Sequence, residues 1–452
     1  MKKKSARGAR GGGSPAPAGF QAAFRACFGA DLPVVPKRRG RKPRVPLTQL
    51  LPALVFHFMN AAGTLAEHFT QLFDAPIADS SFSERRTRLP WEVFAELLRL
   101  GLRPLAEAVA QPDAFWRGWR LVALDGTQFS LTNTPQVKAT TRKAKTRRGR
   151  AAFAKITTGV LLELGLHNPL AAALGRGGQS EWALALELLA QLPARALLLA
   201  DRLHGCAAFV AAAQAAWAKV GSHFLTRPRS NLRVEVLRRF KDGSRWVRVP
   251  VRATGEHHVV SSWLGLREIR VRVQRPGHRA HELRLWTSLR DPKSAPAQEL
   301  SELYARRWEH ELYYRELKRQ LRKSAVLQSH TVETGAQEIA AVVLASALLA
   351  RARTQAAAGT EGLAVLRVSF GKTLELLRPL WLTLALGGDL LSARQKEQLT
   401  ERFLERAGRL VTRRRKRPRS CPRAVRQPVS KWPRLRRNQS WDGPVNFQLL
   451  QT

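Results

Sequence analysis

Three regimes of apolar and polar spacing follow one another along the 452-residue chain. Over 46–112, apolar residues recur with helical spacing, as in LTQLLPALVFHFMNAAGTLAEHF and WEVFAELLRLGLRPLAEAV. Pro90 stands at a natural helix start. From 119 the pattern shortens into continuous apolar runs. RLVALDG, KITTGVLLELG, NPLAAALG and ARALLLAD read as buried strands, and SEWALALELLAQL and GCAAFVAAAQAAWAKV as helices. The resulting order is strand, strand, strand, helix, strand, helix. Over 222–290 apolar and basic residues alternate in VEVLRRF, RWVRVPVRA, HHVVSSWLG, REIRVRV and HELRLWTSL, with turn residues between them. That predicts an antiparallel β block. One long helix is expected over 297–323 and further helices over 332–385. Charged or polar residues interrupt every apolar run, so no bilayer-spanning segment is expected.

Charge changes this picture more than composition does. Apolar residues make up 44% of the chain, enough for a sizeable core, but 77 Lys and Arg stand against 34 Asp and Glu, a net charge of +43. A charge of that size opposes compaction unless a polyanion neutralises it. Nucleic acid is the fitting polyanion, because phosphate contacts release counterions; an anionic membrane surface is the rival. The basic N-terminus lacks the apolar core of a secretory signal. Cys27, Cys206 and Cys421 lie far apart. They offer neither a disulfide framework nor an all-cysteine zinc site, which fits a reducing cytosol. The histidines show no zinc-ligand spacing.

Three acidic residues stand out by position. Asp125 follows the apolar run in LVALDGTQFS and Asp201 the run in ALLLADRLHG. Carboxylates at the carboxyl ends of neighbouring strands can meet over the sheet edge, where α/β sheets place their chemistry. The other reading of each is a turn former or helix cap. In LYARRWEHELYYRELKRQLRK, at roughly 100° per residue, Tyr304, Arg307, Glu311 and Lys318 fall within about 60° of one another. Glu309 and Glu316 point away from that stripe. The alternative is a solvated helix with pairs such as Arg307–Glu311. Carboxylates converging on one point suit hard divalent ions that activate a hydroxyl and stabilise a leaving oxygen.

At these residues the chain resembles the insertion-sequence-four family of DDE transposases. The Asp-Gly-Thr at Asp125 resembles the family's first-Asp motif, and LLLADRLHGCAAF its second. Tyr304, Arg307, Glu311 and Lys318 match the signature of Tyr, two residues, Arg, three residues, Glu, six residues, Lys. Trp308 also fits, and the likeness runs from about 45 to 380. It implies an α/β fold: a ribonuclease-H-like mixed sheet with flanking helices, an all-helical N-terminal domain, and a β-rich insertion between the second Asp and the Glu. It implies that Asp125, Asp201 and Glu311 bind two Mg²⁺ or Mn²⁺ ions. Tyr304, Arg307, Lys318 and Arg202 would contact phosphates near the cut. Leu203 and His204 stand where relatives often carry an aromatic. A histidine there reads either as a metal ligand or as a structural side chain.

The expected reaction is metal-dependent cleavage of double-stranded DNA at the element's inverted-repeat ends, followed by strand transfer into target DNA. A homodimer would form when two ends are synapsed, in the bacterial cytoplasm at the nucleoid and not at a membrane. The alternatives are a standalone ribonuclease-H-type nuclease and a non-catalytic DNA-binding protein derived from a transposase. The expected organisation is a basic arm over 1–45, including KRRGRKPR, which resembles a minor-groove arm. A helical DNA-binding domain follows over 46–115 and a catalytic domain over 116–330. Helices occupy 331–411 and a basic tail 412–452. The segment 138–155 is a basic loop within reach of Asp125. Trp263 is placed near a turn, where its ring could support an extruded base.

Overall fold

The computed structural model describes residues 24–25, 45–60, 62–146, 149–217, 220–253, 256–274, 280–321, 324–412 and 446–450. The N-terminal arm and nearly all of the basic run after 412 lie outside the described residues, so the readings placed on them find no counterpart here.

One 11-stranded mixed sheet runs through the molecule. Its first half consists of β1 (Trp119–Ser130), to which the two-residue strand Phe115–Trp116 pairs, β2 (Lys155–Glu163), β3 (Asn168–Leu174), β4 (Ala196–Ala200) and β5 (His223–Thr226). The second half consists of β6 (Glu235–Arg239), β7 (Arg245–Ala253), β8 (Glu256–Gln274) and β9 (His281–Thr287). The spatial order is β3-β2-β1-β4-β5-β9-β8-β7-β6. β3, β2 and β1 pair antiparallel, whereas β1, β4 and β5 run parallel. This is the ribonuclease-H-like arrangement, with the β-rich insertion joined edge to edge through Trp286 opposite Thr226.

The continuous apolar runs have a plain cause. Every residue of β4 is buried, and alternate residues enter two different cores. Leu197 and Leu199 pack towards one helical layer, and Ala196, Leu198 and Ala200 towards the other. A strand covered on both faces has no reason to alternate.

The first layer contains α1 (Leu47–Phe58), α2 (Leu65–Phe73), α3 (Asp79–Thr87) and α4 (Trp91–Gly101). The second contains α5 (Glu181–Leu189) and α6 (Ala207–Trp217). Further along the chain come α7 (Ala297–Tyr304), α8 (Trp308–Glu316), α9 (Val332–Ala358), α10 (Phe370–Gly387) and α11 (Ala393–Arg409). The N-terminal helices share one core with α9 and α10. Arg86 of α3 ties them together by donating to the Thr334 carbonyl at 3.0 Å, while Gln337 of α9 donates back to the Arg86 carbonyl at 3.1 Å.

Several expectations change. α9 is long and apolar enough to cross a membrane, contrary to the reading that no run would be, and 94% of its apolar stretch is buried inside the fold. Asp125 does not end its strand, because β1 continues to Ser130 by pairing with β2. HHVVSSWLG and REIRVRV form one 19-residue strand, β8, so Trp263 lies mid-strand opposite Pro250 instead of near a turn. It is still 52% exposed, with the Arg248 guanidinium 4.6 Å from its ring centre. The expected 297–323 helix is broken twice: by a tight 3₁₀ turn at Ala305–Arg307 between α7 and α8, and by a wide π turn at Leu317–Leu321. The segment 138–155 is not one open loop: a short helix, Pro135–Thr140, opens it, and Lys145–Thr146 pairs with Gly149–Arg150. Finally, Asn446–Leu449 forms β10, which pairs with β8.

Candidate active site

The site begins with strand register. In the parallel pair β1 and β4, Leu124 is partnered by Ala200, the last residue of β4. The next residue on each strand is an aspartate, so Asp125 and Asp201 stand side by side where β4 stops. Asp125 remains in strand conformation opposite Val160 of β2. Asp201 opens a turn in which its Oδ1 accepts from the Leu203 amide at 2.8 Å and contacts His204 Nδ1 at 3.0 Å. His204 is fully buried. It therefore serves as the brace that holds the second aspartate.

Helix α8 is pinned over the Asp125–Val160 pair by two side chains one turn apart. Tyr314 donates its hydroxyl to the Asp125 carbonyl at 2.8 Å, and His310 donates Nε2–H to the Val160 carbonyl at 2.9 Å. Burial pushes the His310 imidazole down to about 3, so it stays neutral. The predicted stripe faces the sheet. Tyr304 donates to the Ala200 carbonyl at 3.1 Å. Arg307 lies 3.7 Å from Asp125 Oδ2 and 3.0 Å from Glu311 Oε1. Lys318, carried on the π turn, donates to Thr127 Oγ1 and sits 5.3 Å from the Phe129 ring centre. Arg202 is exposed at the mouth of the Asp201 turn. With Arg227, Arg245, Arg270, Glu282 and Arg284 it lines a cavity of about 390 Å³ leading on to the insertion.

The electrostatics are uneven. Burial, and then repulsion from Asp201, raises the Asp125 carboxyl to about 6. Burial also works to raise Asp201, but the hydrogen bond and charge of His204 outweigh it, and the net shift is downward. Burial pushes the Tyr304 hydroxyl up to about 12, so it stays a donor. Burial works against the charge on Arg307, yet its bond to Glu311 leaves its pKa raised.

Two groups here escaped the sequence reading. Arg227 stands within charge reach of Asp201, Tyr304 and Arg307, and burial together with Arg202 lowers its pKa. Glu181, the first residue of α5, feels both Asp201 and His204. Its first-turn position behind a helix-capping Ser180 gave no sign of this. His310 and Tyr314, four apart on one helical face, carried a faint signal.

The donor set suits a hard divalent ion: carboxylate oxygens, mostly sheltered, with like charges pressed together. Among the described residues, however, no three carboxyl or imidazole groups yet close around one point. Glu311 is held by Arg307, one step from the two aspartates.

The family model for the transposase DDE domain matches residues 116–348, more than half of the chain. The chain belongs to the DDE transposase family. A curated relative, the transposase InsG for insertion sequence element IS4 of Escherichia coli (strain K12), is 27% identical over 328 residues, covering 72% of this chain and 71% of that protein. The insertion-sequence-four resemblance therefore holds. The solved piggyBac transposase synaptic complex with hairpin DNA aligns over 86% of this chain and 85% of its own, at 10% identity and a TM-score of 0.45. As a DDE transposase the chain is a DNA-binding, DNA-cleaving enzyme of a family that works with divalent metal ions.

Proposed function

We propose that this transposase cuts double-stranded DNA at the inverted-repeat ends of its own element and joins those ends to target DNA, with two Mg²⁺ or Mn²⁺ ions held by Asp125, Asp201 and Glu311. One observation carries the reading: the Leu124–Ala200 register sets the two aspartates side by side, and the Tyr314 and His310 bonds hold the helix bearing Glu311 directly over them. When bound, such ions activate the attacking hydroxyl and stabilise the leaving oxygen.

The chain's own residues do the rest. Arg307 is both the cation between Asp125 and Glu311 and the group best placed to meet a phosphate. A guanidinium pairs as readily with phosphate as with carboxylate. Arriving DNA therefore draws Arg307 off Glu311 and frees that carboxylate for an ion. Tyr304 keeps its proton and, on exchanging the Ala200 carbonyl for a phosphate oxygen, donates to that phosphate. Lys318, on the wide turn, and Arg202, at the mouth of the arginine-lined cavity, follow the backbone away from the cut. Two copies meet when two ends are held together, and the enzyme works at the nucleoid in the bacterial cytoplasm.

The test is incubation of purified protein with Mg²⁺ and a fragment carrying its own element ends. Site-specific cleavage that EDTA abolishes and Mg²⁺ or Mn²⁺ restores is expected. Full cleavage in EDTA would remove the metal mechanism, and cleavage that ignores the element ends would favour a general nuclease.

A further inference from the structure

Glu181 reaches the site by a route the three family carboxylates do not use. Ser180 caps α5, its hydroxyl accepting from the Ala183 amide at 3.2 Å, which makes Glu181 the first helical residue. Its side chain folds back across β1 at Gly126, the residue after Asp125. A Cβ built on Gly126 would stand 2.3 Å from Glu181 Cδ and 2.6 Å from its Oε1. The glycine is thus required for room, since any side chain there would expel the glutamate. Glu181 lies within charge reach of Asp125, Asp201 and His204. His204 adds an independent sign. It is fully buried, and its Nε2 has no hydrogen-bond partner among the described residues. Among the described residues Glu181 makes no ion pair. Three carboxylates thus raise one another's charge cost without closing around one point, and among the described residues Arg307, 3.7 Å from Asp125 Oδ2, is the cation paired with Asp125. Such an excess of sheltered negative charge calls for cations.

We infer that Glu181 is a fourth carboxylate of the metal centre, contributing oxygen ligation to the ion nearest Asp125 and Asp201, with Gly126 as the residue that admits it. The inference rests on the reading of that centre as a divalent-ion site.

The experiment titrates Mn²⁺ alone into the full chain, without DNA. Free Mn²⁺ is followed by electron paramagnetic resonance and melting temperature in parallel. Glu181→Gln should weaken Mn²⁺ binding by roughly tenfold or more, the scale seen when support of a metal site is removed. Gly126→Ala should weaken it similarly while leaving the glutamate in the chain. Asp201→Asn serves as the reference. If Asp201→Asn weakens binding and Glu181→Gln does not, the inference falls and the site stands. If neither weakens it, both fall. Should Glu181→Gln melt early without metal, Glu181→Asp keeps the charge and the helix start. An unchanged Mn²⁺ titration in that shorter variant and in Gly126→Ala would equally overturn the proposal.

Discussion

The two faces of helix α8 carry the same kinds of residue and use them in opposite ways. On the face towards β1, Glu311 and Arg307 are partly exposed and paired with each other at 3.0 Å, beside aspartates that repel one another. On the other face every charge is matched. Glu309 accepts from the Gly165 amide at 2.7 Å and from Arg306 at 2.8 Å. Glu316 lies 2.7 Å from His167 and 3.9 Å from the buried Arg353. Arg353 in turn donates to the Val368 carbonyl at 3.0 Å. A carboxylate matched by buried partners fixes the helix, whereas Glu311, matched only by a partly exposed arginine, can exchange that arginine for a metal ion. Helical phase separates the two sets, but only the partners distant in sequence reveal which is which.

The strongest way to break this comparison is to neutralise the unmatched set. Asp125→Asn, Asp201→Asn and Glu311→Gln should each cut cleavage by about a thousandfold, some 4 kcal/mol of barrier. Binding of end DNA in a gel-shift assay should stay within a few-fold. A Glu311→Gln enzyme that still cuts would show that the unmatched face is not the working one.

The matched set should fail differently. Glu316→Gln leaves Arg353 buried without its ion-pair partner and should lower stability by about 3 kcal/mol, read from urea unfolding. Cleavage at low temperature should persist. Glu309→Gln should be milder, since an amide oxygen still accepts from Gly165. An unchanged unfolding midpoint for Glu316→Gln would mean that the back face is merely solvated.

A third expectation sharpens the contrast through pH. The Asp125 carboxyl sits at about 6 in the folded chain against 3.8 when free. The folded state therefore holds that proton more tightly than the unfolded state does. Stability falls as pH rises through this window, and the full penalty is present above it. In EDTA, Asp125→Asn should stabilise the protein by about 1–2 kcal/mol at pH 7 and by nothing near pH 3.5. Denaturant curves at the two pH values check this, and a destabilised variant at pH 7 would contradict it. Metal affinity of the parent should fall as pH drops through the same window, because protons then compete for Asp125.

The smallest effect belongs to the rim. Arg202→Ala should reduce the slope of log affinity against log salt by about 0.9 on duplex DNA, one phosphate contact. No change in slope would place the DNA elsewhere.

Much of this was legible from residue order. Asp125 and Asp201 were visible because each closes a continuous apolar run, and strands buried on both faces leave such runs. Glu311 was visible through helical phase, which survives because the tight and wide turns flank α8 without interrupting it. The apolar run closes at Asp125-Gly126, yet the strand continues to Ser130, because pairing with β2 carries it on. Glu316 was assigned to a face away from the stripe, correctly, but nothing nearby in the chain announced His167 or Arg353. Glu181 was hidden for a related reason: an acidic residue after a capping serine is an ordinary helix start. Its second task depends on a glycine far upstream in sequence.

Strand β10 changes how the basic run 413–445 should be understood. On one side of that run Val411 bridges to Val368, and on the other Asn446–Leu449 is hydrogen-bonded to β8. The described residues on either side of it are thus both tied into the fold. Cutting the chain at 412 would therefore remove two things together, a local store of positive charge and a strand from β8. Replacing arginines within the run by glutamine separates the two.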